Sequence, residues 1–137
     1  MRPAETGSVS IARYVRQRDF YTAPYETLHQ AAARMRASGL SALPVVVHGA
    51  VVALITEHDL VKAMAICDRP CEAVVGDYMK NGAVSATPDD EAPAALLKML
   101  AIGCLDLPVV TDGDRLLGMV SARELLAMQA RLHGVAV

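Results

Sequence analysis

The sequence predicts an α/β chain of the α+β type, built from two β-α-β-β-α repeats that pack against each other. Three observations lead there. Sliding the chain against itself by 64 positions lines up Tyr14 with Tyr78, Pro24 with Pro88, Met35 with Met99 and Gly39 with Gly103, and lays "LPVV" at 43–46 on "LPVV" at 107–110. In each copy, helix-period apolar positions are followed by two β-branched runs flanking a glycine turn. The chain of 137 residues is 53% hydrophobic, enough for one sizeable core. A single unit of about 60 residues buries too little surface to stand alone, so the copies cover each other.

The elements follow in order. Each copy opens on a short helical or extended lead, "IARYV" or "VGDYM", and a brief apolar segment. A helix from about Thr27 to Ser38 then has a capping box in Thr27 and Gln30, an apolar face of Leu28, Ala31, Ala32 and Met35, and a stop at Gly39. "ALPVVV" and "VVALI" around His48, Gly49 and Ala50 make a hairpin of buried strands. Thr56 opens the helix "EHDLVKAMA", and Pro70 ends it within the connector "CDRPCEAV". In the second copy the helix runs from about Asp90 to Ile102, with Pro93 in its first turn, Leu96, Met99 and Leu100 on its face and Gly103 as its stop. The hairpin "LPVVT" and "LLGMV" turns at Asp112 to Asp114, one residue longer, so the offset becomes 65 and Ser121 and Glu124 fall on Thr56 and Asp59. Methionines 35, 64, 79, 99 and 119 are expected in the core. The boundaries expected are a tail at 1–9, repeats at 10–66 and 75–130, a connector at 67–74 and a tail at 131–137.

Composition excludes several functions. A net charge of −2 with one Phe and no Trp offers neither a basic field nor stacking platforms for nucleic acid. The longest apolar stretches fall far short of the roughly 20 residues that cross a bilayer. The first residues have no apolar core of a signal peptide, so a cytoplasmic location is expected. Three cysteines, an odd number, point to reduced thiols. With no histidine beside them in sequence, a zinc site is disfavoured, while redox chemistry between Cys67 and Cys71 stays open. No nucleophile-base motif, H-E-x-x-H or phosphate-binding glycine loop is present, so no enzyme activity is expected.

The helices ending in "ASGLSALPVV" and "AIGCLDLPVV", the lead "DYM", and the pair "ALITEHDL" and "GMVSAREL" resemble a tandem pair of cystathionine β-synthase (CBS) domains, also called a Bateman module. The resemblance spans about Ser10 to Gln129. It implies two repeats meeting through their sheets about a pseudo-two-fold axis, with two clefts between them. It further implies an adenosine-type ligand there (AMP, ADP, ATP, S-adenosylmethionine or NADH), a homodimer shaped as a flat disc, and a regulatory role. With nothing attached, a stand-alone sensor or an adaptor acting on an unknown protein partner in trans is expected.

The acid shared by the two octapeptides has two readings. A carboxylate at a helix start can accept hydrogen bonds from a ribose diol, with the helix dipole favouring an adjacent phosphate. On this reading Asp59 takes the ribose and Thr56 lies beside the phosphate, matching the family pattern. Alternatively, hydroxyl-x-x-acid is a capping box that needs no ligand. Ser121 with Glu124 suits that role better than Thr56 with Asp59, since Glu is the usual partner. By residue match, the remaining cleft positions are Tyr21, Thr22 and Ala23 with Leu43, Pro44 and Val45, and Ser85, Ala86 and Thr87 with Pro108 and Val109. The chain departs from the family pattern at Ala53, where the other copy has Gly118, and at Glu124. Ser41, Ala42, Leu105 and Asp106 stand where some members carry cations. The cations left are His58, Arg123, Lys80 and Arg18, which suits a monophosphate better than ATP. The rival to a ligand sensor is a ligand-free dimeric scaffold in which both acids only cap helices.

Overall fold

A computed structural model of the chain describes residues 9–16, 20–82 and 85–134. Four helices, α1 (Leu28–Ser38), α2 (Glu57–Ile66), α3 (Ala92–Ile102) and α4 (Ala122–Leu132), pack on strands β1 (Ala42–Val47), β2 (Ala50–Thr56), β3 (Lys80–Asn81), β4 (Asp106–Thr111) and β5 (Arg115–Ser121). The mixed α+β class and the internal repeat are as expected. The leads are single 3-10 turns, Ile11–Tyr14 and Val75–Asp77. The opening β segment of each repeat shrinks to one parallel bridge, Thr22 to Val45 and Ala86 to Val109.

Local chemistry forms the elements. Thr27 and Gln30 make the capping box of α1, each bonding the other's backbone N–H. His48 and Gly49, with φ of 51° and 81°, make the two-residue turn between β1 and β2, a geometry that glycine adopts without strain. Both hairpins shift register at the same place, between Val45 and Val46 and between Val109 and Val110, so the irregularity belongs to the repeat.

The sheet runs β1-β2-β5-β4, with β3 on β2, and the two hairpins meet at Ala50 and Arg115. The leads are exchanged. Lys80 and Asn81, which begin repeat 2, pair with Leu54 and Ala53 of repeat 1. Arg16, 64 positions before Lys80, pairs with Met119 of repeat 2 through Arg16 N to Met119 O (2.8 Å) and Met119 N to Arg16 O (2.9 Å). The helix starts are crossed the same way: Leu28 N donates to Ala73 O (2.8 Å), and Ala92 N donates to Val9 O (3.0 Å). The two cores exchange residues in step. Val75 and Met119 lie among Leu28, Met35, Leu43 and Ile55, whereas Ile11 and Leu54 lie among Met99, Leu107, Val120 and Leu125.

The packed faces differ from expectation in three places. In α3 the buried positions are Ala92, Ala95 and Met99, while Leu100 is 78% exposed. The small alanines let the helix sit close to the sheet, and that closeness turns the larger leucines outward. Met64 is 71% exposed and takes no part in the core, because α2 buries Ala63 instead. On α1, Ala32 is only half-buried beside Leu28, Ala31 and Met35.

Candidate functional site

The two hydroxyl-x-x-acid turns take different partners. At the end of β2, the Thr56 hydroxyl accepts from Asp59 N (3.2 Å), while Asp59 Oδ2 accepts from Thr56 N and from the Thr56 hydroxyl, both at 2.8 Å. Asp59 Oδ1 accepts from Lys80 Nζ at 2.7 Å. This is a full capping box, 3% exposed at Asp59 and 1% at Thr56. The expected Ser121–Glu124 box is corrected: the Ser121 hydroxyl accepts from Arg123 N (3.2 Å). Glu124 turns to Arg16, whose Nε donates to Oε1 at 2.7 Å and whose Nη2 donates to Oε2. That hydrogen bond, with the charge beside it, holds the Arg16 guanidinium above its ordinary pKa. Each helix-start acid therefore holds a cation from the other repeat's lead, closed in at Asp59 and open at Glu124.

A cleft of about 850 Å³ lies between the repeats. Tyr21, Thr22, Ala23 and His48 of repeat 1 line one side, and Leu116 and Leu117 of β5 line the other. Tyr21 is 51% exposed, an aromatic face at its mouth. The wall is fixed by Glu26, whose carboxylate accepts from Arg34 Nη1 (2.6 Å) and Nη2 (2.7 Å), the Thr22 hydroxyl (3.0 Å) and Ala23 N (3.0 Å). Arg34 holds the Glu26 carboxyl below the usual carboxylate range, outweighing the upward push of burial. A lowered folded-state pKa stabilises above the unfolded value, about 4.3, and that contribution is lost as pH falls through the folded value. Thermal unfolding is expected to show Arg34→Met less stable than the parent at neutral pH, with the gap narrowing as pH falls below about 4.3; a gap that does not change with pH would refute the role given to this pair.

A second opening, of about 450 Å³, lies at the helix starts and includes Ser41, Glu57, Asp106, Ser121 and Arg123. Asp106 Oδ2 accepts from Ser41 N and the Ser41 hydroxyl, each at 2.8 Å, so the acid standing in a family cation position joins the two repeats.

The structure brings Tyr21, Thr22 and Ala23 together with Pro44 and Val45, through Thr22 N to Pro44 O (3.0 Å), but not with Thr56 and Asp59, which do not line the large cleft. Ser121 and Arg123 share the smaller opening, and His58 is exposed on α2. Thr87 donates through N and hydroxyl to Asp90, both at 3.1 Å, closing a local turn. Arg18 lies outside the described residues. Sequence reasoning missed Arg16, Glu26, Arg34, Leu116 and Leu117. The repeat itself carried the signal for three of them: Arg16 falls on Lys80, and Glu26 and Arg34 fall on Asp90 and Lys98.

The three cysteines are free, and burial pushes the Cys104 thiol up. Among the described residues, no group of three or more His, Cys, Asp or Glu could hold a metal, and no helix is long and apolar enough to cross a membrane.

Fold and cleft define a tandem pair of small α+β repeats with ligand-sized space between them. Residues 12–66 and 75–131 each match the CBS domain, and the chain belongs to that family. It is 34% identical over 111 residues to a 17.7 kDa protein of Acidianus ambivalens, covering 80% of this chain and 66% of that one. Among solved structures, it is similar to a conserved protein of Pyrococcus horikoshii (TM-score 0.75, 28% identity, 88% of this chain and 54% of that one). It is also similar to the CBS domain pair of protein MJ0100 in complex with 5′-methylthioadenosine and S-adenosyl-L-methionine (TM-score 0.75, 23% identity, 92% and 96%). The chain spans less than two thirds of the first two relatives.

Proposed function

We propose that this CBS pair is a regulatory module that takes an adenosine-containing ligand between its repeats and acts on a protein partner in trans. The observation that carries this is the cross-repeat cleft. Tyr21, Thr22 and Ala23 face Leu116 and Leu117 across it. Apolar walls with backbone amides suit an adenine, and a carboxylate suits a ribose diol. The ligands bound by the MJ0100 pair support the same class. Of the two helix-start acids Glu124 is the more accessible, its side chain 30% exposed against 4% for Asp59. Leu97, Leu100 and Leu126 on α3 and α4, with Leu105 just before β4, leave an apolar face that suits a homodimer.

A ligand-free scaffold is the second reading, and the closed Thr56–Asp59 box favours it. Thermal unfolding with AMP, ADP, ATP, NADH, S-adenosylmethionine and 5′-methylthioadenosine separates the two. Ligand at about 100 times its dissociation constant adds roughly 2.7 kcal/mol, a rise of several degrees. The expected result is a rise with at least one compound that disappears when Ala23→Trp fills the cleft. No rise with any of them would leave the scaffold as the function.

A further inference from the structure

We infer that two copies of this chain pair through repeat 2 alone, α3 and α4 of one on α3 and α4 of the other, leaving the helix face of repeat 1 open; this rests on the homodimer of the reading above. The two repeats carry openings at matching positions on α3 and α1. In repeat 2 it is an apolar groove of about 640 Å³ that includes Leu96, Leu97, Leu100, Leu105 and Leu126 and has no charged side chain in its lining. Leu97, Leu100, Leu105 and Leu126 are each more than half exposed. In repeat 1 the opening is about 540 Å³ and is lined by His29, Ala32, Ala33, Arg36 and Ala37. Shifted by 64 positions, Leu96 and Leu97 fall on Ala32 and Ala33, Leu100 falls on Arg36, and Leu105 falls on Ser41. One repeat has leucines where the other has small residues and a cation.

That difference selects the occupant. An apolar groove gains most from an apolar cover, and a two-fold pair sets a patch on its own copy. Leu97 and Leu100, three positions apart on α3, form a ridge that the same helix of a second copy can flank. Setting the groove on repeat 1 of a second copy would instead bury the Arg36 guanidinium among leucines. Arg36 makes no ion pair among the described residues and the groove offers it no carboxylate, so its desolvation would go uncompensated. Repeat 1 on repeat 1 would bring Arg36 against Arg36, two like charges. Val61 and Met64 of α2 are exposed on repeat 1 as well, but Lys62 stands between them in the chain and adds a further cation. Arg123 of repeat 2 lies in the neighbouring opening, where Glu57 and Asp106 offset its charge. Leucine face on leucine face is the arrangement that strands no charge.

The test is sedimentation equilibrium of the full chain as parent, Leu100→Glu, Leu100→Arg and Arg36→Glu, with circular dichroism to establish that each is folded. The parent is expected to be a dimer. Leu100→Glu and Leu100→Arg should each weaken it at least about a hundredfold, and an equimolar mixture of the two should regain it. Arg36→Glu should leave it unchanged. Leu126→Glu makes the same measurement from α4, so a folding defect at Leu100 does not leave the question open. If Leu100→Glu dimerises as well as the parent or better, its carboxylate has met Arg36 and the pairing is crossed, which overturns the inference while the homodimer stands. Loss of the dimer in Arg36→Glu, a mixture that stays monomeric, or a parent assembly larger than a dimer would overturn it too. A parent that is monomeric up to about 100 μM removes the homodimer itself, and the inference falls with it.

Discussion

Gly118→Ala is expected to destabilise the protein by about 2–3 kcal/mol, a fall in unfolding midpoint on the order of 10 °C. A methyl group on Gly118 would lie 2.4 Å from the carbonyl oxygen of Arg16, 2.9 Å from its carbonyl carbon and 2.9 Å from Val15 Cγ1. Two of these neighbours are backbone, held by the paired hydrogen bonds between Arg16 and Met119, so they cannot swing aside as a flexible side chain would. The cost is one of space. Gly103→Ala is the informative control, because a methyl there meets nothing within 4 Å but the backbone is left-handed, with φ of 84°. It should cost about 1 kcal/mol. Equal losses at both positions would mean that the Arg16 lead is not packed on β5 as described. Chemical denaturation of the two variants measures the difference directly.

Asp59→Ala is expected to cost about 3 kcal/mol, more than an exposed helix cap. The substitution leaves Thr56 N and the Thr56 hydroxyl without their acceptor in a site only 1% exposed, and strands the Lys80 ammonium. Asp59→Asn keeps the shape and an acceptor oxygen and should lose about 1 kcal/mol. Lys80→Met should lose less than Asp59→Ala, because the lysine side chain is 30% exposed and water replaces part of its bond. A double-mutant cycle of Asp59→Asn with Lys80→Met isolates the ion pair. A loss below about 0.5 kcal/mol for Asp59→Ala would show that this acid is not the buried anchor of α2.

Those two residues show what the sequence could and could not convey. The α1 capping box, the stops at Gly39 and Gly103 and the turn at His48 and Gly49 were legible because a few adjacent residues determine them. The fate of the two helix-start acids was not. Ser121 and Glu124 have the better local pattern for a box, yet a cation 108 positions away draws Glu124 out of it, while Lys80, 21 positions from Asp59, closes over the poorer one. The same distance hid the cleft. Residue matching within one copy grouped Tyr21, Thr22 and Ala23 with Thr56 and Asp59, but the chain crosses over and sets them against Leu116 and Leu117 of the other copy. The face of α3 was misread for a different reason. Hydrophobicity ranks Leu100 above Ala92 and Ala95, whereas close approach to a sheet favours the smallest side chains.

The exchanged leads also set the timetable of biosynthesis. A chain emerging at roughly 5–20 residues per second presents its first hairpin with the edge of β2 bare until Lys80 and Asn81 arrive. Arg16 must wait for Glu124, 108 residues later and several seconds behind. A nascent first repeat therefore cannot complete itself, and a ribosome stalled between the repeats would display an unsatisfied strand edge and an apolar core short of Met119. Such a fragment is a substrate for chaperones and proteases until the second half is made.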